Sequence, residues 1–137
     1  MSVGILLVTH DGVGSSLLAA ARQVLKTIFV PVDLLEVGWT CDPIALRGQA
    51  NRLLRELDQG KGVLVLTDIV GATPANVVSD LEHGRILRRV SGLNLPMLLR
   101  TLTYCSDCEL DQLATVAYEG GRSGILADQQ RTLQEMA

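Results

Sequence analysis

The chain has 137 residues, a length that suits one domain with a single hydrophobic core. Apolar residues make up 47% of it and aromatic residues 3%, so the core must be aliphatic, as in parallel strands covered by helices. The net charge of -3 and the few aromatic rings argue against nucleic acid or an anionic membrane surface as a partner. Apolar runs fall far short of the ~20 residues that cross a bilayer, and no signal-peptide pattern is present, so we expect a cytoplasmic protein.

The N-terminal half of the sequence alternates apolar runs with segments of helical periodicity. Residues 3–8 predict a buried strand, and the glycines after His10 predict the start of a helix. Residues 32–36 predict a less apolar strand, which favours a place near the edge of a sheet. Pro43 suits the first turn of a second amphipathic helix, and residues 62–67 predict the third strand.

The alternation continues in the C-terminal half. Thr73 and Pro74 have the pattern of an N-cap followed by a first-turn proline, which predicts a short third helix. Residues 88–92 predict a fourth strand. The whole pattern predicts an α/β fold, namely a doubly wound, flavodoxin-like three-layer sandwich with a four-stranded parallel sheet of order 2-1-3-4.

Two further helices are predicted near the C-terminus. Pro96 marks the start of the first, and Ser106 with Glu109 forms a capping box for the second, which we expect to end at Gly120 and Gly121. We expect residues 1–124 to form the domain. Residues 125–137 are a weakly patterned tail, compatible with a short strand, a helix or a frayed end.

Polar side chains follow two of the predicted strands. His10 comes after the first strand and Asp68 after the third, and in this sheet order the two strand ends are neighbours. A carboxylate that accepts a hydrogen bond from one imidazole nitrogen leaves the other nitrogen available as a nucleophile or base. The pair therefore predicts a reactive histidine in a crevice.

Small residues surround this crevice at the starts of two predicted helices. Backbone N–H groups approach an anion closely at such positions, so they suit a phosphoryl group. The residues are Gly12, Gly14, Gly71, Ala72 and Thr73. Neither loop carries a Lys or Arg, and no nucleotide-binding glycine pattern is complete, so turn formation explains the glycines equally well.

An acyl-transfer triad is a second possible chemistry, because Ser15 and Ser16 lie near His10 in the sequence. Neither serine has a Gly-x-Ser-x-Gly elbow around it. We therefore expect the serines to cap the first helix.

The three cysteines are an odd number, which does not suit a secreted disulfide framework. Cys105 and Cys108 have metal-ligand spacing, but only Cys41, His10 and His83 could complete a zinc site. We expect thiols at the solvent edge before a helix. His83 is expected only to interact with a helix dipole.

Taken together, these residues resemble the enzyme IIA domain of the mannose-type (mannose/fructose/sorbose) sugar phosphotransferase system. The resemblance runs from Ile5 to about Gly124. Its most specific parts are Thr9-His10, the block Gly62-Val63-Leu64-Val65-Leu66-Thr67-Asp68 followed by Gly71-Ala72-Thr73-Pro74-Ala75-Asn76, and Gly92-Leu93-Asn94-Leu95-Pro96-Met97-Leu98.

The resemblance implies a phosphotransferase in which His10 takes a phosphoryl group from HPr and passes it to an enzyme IIB component. Asp68 matches the acidic residue that orients and stabilises the histidine, and Gly71, Ala72 and Thr73 match the phosphoryl-binding loop. No metal or organic cofactor is implied, and contact with a membrane permease is peripheral at most. The family forms homodimers, commonly by exchanging a C-terminal antiparallel strand, a role open to residues 125–137.

The sequence departs from the family pattern at three positions. Asp11 replaces a small residue after the histidine, where its carboxylate could weaken docking of an anionic donor or point away. Val70 and Ala75 replace bulkier residues beside the site. Two other functions stay open: a regulatory phosphoprotein that controls a protein partner instead of sugar uptake, and the phosphoryl-donor subunit of a dihydroxyacetone kinase, which the stretch after Gly71 fits less well.

Overall fold

The computed structural model describes residues 2–28, 30–40, 42–69 and 86–128. The elements in chain order are β1 (Gly4–His10), α1 (Val13–Leu25), β2 (Val32–Val37), α2 (Pro43–Leu57), β3 (Val63–Thr67), β4 (Leu87–Ser91), α3 (Leu95–Tyr104) and α4 (Leu110–Ser123). The helix predicted from Thr73 and Pro74 and the end of the C-terminal tail lie outside these ranges. Within them, no helix is long and apolar enough to span a membrane.

The four strands form one parallel sheet of order β2-β1-β3-β4, which confirms the predicted order. The less apolar β2 lies at an edge, as expected, and β1 is paired on both sides. The register aligns Val8 with Thr67 of β3 and His10 with Val37 of β2. The carboxyl ends of the three strands therefore meet at one edge of the sheet.

Side chains of a strand alternate between the two faces of a sheet, so β1 presents apolar residues to both faces. Helices cover both faces. Ile5 and Leu7 of β1 pack on one face with residues of α1, α3 and α4. Leu6 and Val8 pack on the other face with α2. The three layers of the predicted sandwich are thus present, and β1 is buried along nearly its whole length.

Two helices begin where the sequence predicts. Asp42 precedes Pro43 and accepts a hydrogen bond from the Ile44 N–H at 3.1 Å. Asn94 caps α3 in the same way, accepting from the Met97 N–H at 2.9 Å. Each cap satisfies a backbone donor that the first helical turn leaves without a partner.

The predicted capping box of Ser106 and Glu109 is wrong. The chain turns once more after α3, with the Asp107 N–H donating to the Tyr104 carbonyl at 3.0 Å, and α4 begins only at Leu110. Glu109 is itself the N-cap residue and makes no side-chain cap. Cys105 and Cys108, on either side of Ser106, are buried, so this turn packs against the core. The helix therefore begins after the turn, later than predicted.

The predicted helix end at Gly120 and Gly121 is also wrong, because α4 continues through both to Ser123. Both glycines are buried against α3. A Cβ atom at Gly120 would lie 2.7 Å from Arg100 Cγ, and one at Gly121 would lie 2.7 Å from Met97 Cε. The glycines allow α3 and α4 to pack closely; they do not stop the helix.

Gly4 lies where β1 passes the end of α2, and a Cβ atom there would lie 2.5 Å from the Leu57 carbonyl oxygen. We expect Gly4→Ala to lower the free energy of unfolding by about 1–3 kcal/mol, because backbone must move to relieve the clash. Gly48, in the exposed middle of α2, has nothing within 4 Å of the Cβ position. Gly48→Ala is the control and should raise stability by about 0.5–1 kcal/mol through helix propensity. Urea unfolding measures both, and a Gly4→Ala protein as stable as wild type would contradict the close approach.

Candidate functional site

His10 and Asp68 meet at the carboxyl edge of the sheet. His10 is the last residue of β1, and Asp68 follows the last residue of β3. Val8 of β1 pairs with Thr67 of β3. Asp68 is the residue after Thr67, and His10 comes two residues after Val8. The predicted juxtaposition of the two side chains is confirmed by their contact.

The Asp68 carboxylate holds both the backbone and the ring of His10. Its Oδ2 atom accepts a hydrogen bond from the His10 backbone N–H at 3.0 Å and lies 2.9 Å from the ring Nδ1. Its Oδ1 atom accepts from the Ile69 N–H at 3.0 Å. The side chains of His10 and Asp68 are 20% and 11% exposed, so the pair is mostly shielded while the ring stays reachable from solvent.

The charge of Asp68 decides which ring nitrogen carries the proton. Burial would raise the pKa of the Asp68 carboxyl, but the hydrogen bonds from the backbone and ring of His10 outweigh it and hold the pKa below its ordinary value. An ionised carboxylate only accepts hydrogen bonds, so Nδ1 must be the donor. The neutral ring then has its free lone pair on Nε2.

Thr9 fixes the backbone on the other side of His10. Its buried hydroxyl donates to the His10 carbonyl at 2.9 Å and accepts from the Gly14 N–H at 2.8 Å. A Cβ atom at Gly14 would lie 2.9 Å from that hydroxyl oxygen, so a glycine is needed for α1 to come this close. The start of α1 and the end of β1 are therefore joined through one hydroxyl group.

The N-terminus of α1 is capped by a residue from the neighbouring strand. Gly12 is the N-cap residue, with a φ of 86°, and offers no side chain. Glu36 of β2 takes that role, since its Oε2 atom accepts from the Ser15 N–H at 3.1 Å and the Ser15 hydroxyl at 2.9 Å. The hydrogen bond from the Ser15 N–H is the main reason that the pKa of Glu36 lies below its ordinary value.

This cap corrects two expectations about the serines. Neither Ser15 nor Ser16 is the N-cap of α1, because Gly12 occupies that position. The Ser15 hydroxyl donates to Glu36, and the His10 ring pairs with Asp68. The described residues therefore form no acyl-transfer triad.

The start of α1 supplies less of the predicted anion site than its glycines suggested. The N–H groups of Gly14, Ser15 and Ser16 already donate to Thr9, Glu36 and the Gly12 carbonyl. The other predicted part, made of Gly71, Ala72 and Thr73, lies outside the described residues. Its phosphoryl-binding role stays a prediction, as does any effect of Val70 and Ala75.

Two residues beside His10 are placed by the loops that follow β1 and β2. The Trp39 and His10 rings have centroids 5.1 Å apart at an angle of 31°, and Trp39 is 83% exposed. The exposed Asp11 directs its Oδ2 atom to within 3.3 Å of the Cβ position at Gly38. Sequence reasoning missed Trp39, although the only tryptophan in the chain follows the strand next to β1 and was the available signal.

The cysteines near α4 are buried, so their expected place at the solvent edge is wrong. Cys105 is 0% exposed and Cys108 8%. Burial raises the pKa of the Cys105 thiol to about 11, which keeps it protonated and unreactive. In the described ranges, no three His, Cys, Asp or Glu side chains are placed to share a metal ion. Cys41 and His83 lie outside those ranges.

Comparison with known proteins gives one family. A family model described as PTS system fructose IIA component matches residues 4–117. The mannose-specific EIIAB component of the PTS system of Escherichia coli K12 is 33% identical over an alignment of 148 residues, which covers 100% of this chain. The alignment covers 43% of that relative, so the chain spans less than half the length of the curated relatives it matches.

Solved structures share the fold. The mannose/sorbose specific IIA subunit from Enterococcus faecalis superposes with a TM-score of 0.81 at 24% identity, covering 93% of this chain and 95% of that one. The EIIA component from Streptococcus agalactiae has the same TM-score of 0.81 at 24% identity, covering 93% and 98%. A sigma-54 interaction domain protein from Enterococcus faecalis follows at 0.73 and 18%, covering 89% and 92%.

Thr9→Val should lower the free energy of unfolding by about 1–3 kcal/mol, because it leaves the buried Gly14 N–H without an acceptor. Thr9→Ser keeps the hydroxyl and should restore most of that loss. Chemical denaturation of the two variants measures the difference. Equal stability of the valine and serine variants would contradict the structural role of the hydroxyl.

Asp68→Asn should destabilise the protein at pH 7 and should do so less as the pH falls. Because the folded-state pKa of Asp68 is lowered, its stabilisation is fully present above the unfolded value of about 3.9 and is lost as the pH falls through the folded value. Melting temperatures of wild type and variant from pH 7 to pH 3 measure the convergence. Asp11→Asn, at an exposed neighbour, is the control, and a constant gap between wild type and Asp68→Asn at every pH would contradict the prediction.

Proposed function

The chain belongs to the family of PTS system fructose IIA components, and we propose that it is a phosphohistidine carrier of a phosphoenolpyruvate-dependent sugar phosphotransferase system. It accepts a phosphoryl group from HPr on His10 and passes it to an enzyme IIB component. The observation that carries this proposal is the hydrogen bond between Asp68 and Nδ1, which leaves Nε2 of a reachable imidazole unprotonated. A phosphoryl acceptor needs this protonation state.

The transfer exchanges one phosphorus–nitrogen bond for another. Nε2 of His10 attacks the phosphorus atom in line, and the bond from phosphorus to the donor imidazole breaks, returning its electron pair to the donor ring. The product ring carries the phosphoryl group on Nε2 and keeps its proton on Nδ1, so it is positively charged. The ionised Asp68 carboxylate stabilises that charge through the hydrogen bond to Nδ1.

The three phosphoryl oxygens need hydrogen-bond donors during this exchange. The proposal assigns that role to the loop with Gly71, Ala72 and Thr73, by resemblance to the family. The start of α1 favours this assignment, because its Ser15 N–H already donates to Glu36. A reaction of this kind requires no metal ion and no organic cofactor.

The partners of the proposed carrier are proteins. Apolar side chains beside the pair are exposed, with Trp39 at 83% and Ile69 at 57%, which suits transient docking of a protein surface. HPr as donor and enzyme IIB as acceptor act in the cytoplasm, where we place this chain, with permease contact peripheral at most. Homodimer formation through residues 125–137 is part of the proposal.

A regulatory phosphoprotein is the second candidate function. The fold also occurs in a protein named for a sigma-54 interaction domain. In this role His10 is phosphorylated in the same way, but its phosphorylation state controls binding of a protein partner. The two functions differ in whether the phosphoryl group moves on to enzyme IIB.

Incubation with enzyme I, HPr and radiolabelled phosphoenolpyruvate should label the wild-type chain with an acid-labile phosphoryl group. His10→Ala should abolish the label, because it removes the nucleophile. His83→Ala, the other histidine of the sequence, is the control and should label at the wild-type rate. Labelling that survives in His10→Ala would overturn the assignment of the site.

Asp68→Asn should slow labelling by about 10²- to 10⁴-fold, because a neutral amide does not select the tautomer with its proton on Nδ1. Adding an enzyme IIB component then separates the two candidate functions. Rapid loss of label to enzyme IIB supports the carrier. Label that persists in the presence of several enzyme IIB components supports the regulatory protein.

A further inference from the structure

The loop from β2 to α2 brings Trp39 to His10. Val37, the last residue of β2, pairs with His10, and Trp39 follows two residues later. In β1, His10 is on the same face of the strand as Leu6 and Val8, both of which pack on the face covered by α2. A residue on the path from β2 to α2 therefore lies on the side of the sheet where the imidazole emerges.

This loop also lies close to the turn after β1. The Asp11 carboxylate lies 3.3 Å from the position that a Cβ atom would take at Gly38. Gly38 directly precedes Trp39, so any larger residue there would press on Asp11. The two loops thus approach each other at neighbouring points, one at Asp11 and one at the His10 ring.

The contact between Trp39 and His10 is not a core contact. The indole is 83% exposed, whereas the imidazole beneath it is 20% exposed. The two rings are tilted by 31°, and their separation of 5.1 Å lies within the distance range of attractive aromatic pairs. Trp39 therefore mainly covers one face of the His10 ring. Its removal should change the stability of the fold little.

We propose that Trp39 is a positioning residue for His10, which holds the imidazole between its indole and Asp68 and stabilises the phosphorylated ring. The inference rests on the proposed carrier function. Asp68 holds the ring at Nδ1. A single hydrogen bond at that atom still allows the ring to tilt. The indole limits that tilt, so Nε2 keeps its direction.

The same indole favours the product of the transfer. A phosphorylated ring that keeps its Nδ1 proton is a cation, and tryptophan provides the most favourable aromatic face for a cation. Trp39 lies close enough for this interaction, since its ring is 5.1 Å from the imidazole. It should therefore slow hydrolysis of the phosphohistidine as well as speed its formation.

Trp39→Ala tests the proposal, with Trp39→Phe as the matched control that keeps an aromatic face. We expect the alanine variant to lower kcat for phosphorylation by HPr about two- to fivefold and to hydrolyse its isolated phosphohistidine faster by a similar factor. The phenylalanine variant should stay within about twofold of wild type in both. Melting temperatures should agree for all three proteins, because the residue is exposed.

Hydrolysis of the isolated phosphoprotein involves no partner, so it separates positioning from docking. A residue that only docks HPr changes KM and leaves kcat and the hydrolysis rate as in wild type. That result overturns the inference while leaving the proposed function intact. A wild-type chain that accepts no phosphoryl group overturns the proposed function, and the inference with it.

The contact itself is tested without any phosphorylation. The sequence contains two histidines, so imidazole proton resonances are readily assigned by NMR with His83→Ala. Trp39→Ala should shift the ring protons of His10 through loss of the indole ring current. A His10 spectrum that is the same in both proteins overturns the inference.

Discussion

The carboxylate of Asp68 is the interaction on which the site depends. It accepts from the backbone and the ring of the same histidine, so one side chain fixes both the end of β1 and the protonation of the imidazole. The bond is possible because the parallel register brings the ends of β1 and β3 together. Hydrophobic residues on both faces of the sheet hold that register, since a slip of one residue would reverse every side chain of β1.

The backbone around His10 is held from several directions. Asp68 fixes its N–H from β3, and Thr9 links its carbonyl to the first turn of α1. Glu36 in turn ties that helix to β2. Because three elements restrain the strand end, the imidazole is held in place in advance, which in the proposed transfer lowers the entropic cost of the reaction. The ring face toward Trp39, in contrast, is covered by an exposed residue.

The sequence was sufficient for the features that depend on strand order and periodicity. Alternating apolar runs predicted the sheet, and the positions of His10 and Asp68 at strand ends predicted their contact. Contacts between loops, such as Trp39 on His10, have no periodic signature and were missed. Gly120 and Gly121 were predicted to end a helix, but they allow a neighbouring helix to pack closely. The two kinds of glycine look alike in a sequence.

Glu36 caps the N-terminus of α1 and thereby affects which anions that helix end attracts. A helix N-terminus with open amides draws phosphate or sulfate from solution, but here a carboxylate from the protein already satisfies that charge. Small anions in bulk solvent therefore gain little from approaching the start of α1. In the proposed function, this cap leaves the binding of the phosphoryl oxygens to the loop with Gly71, Ala72 and Thr73.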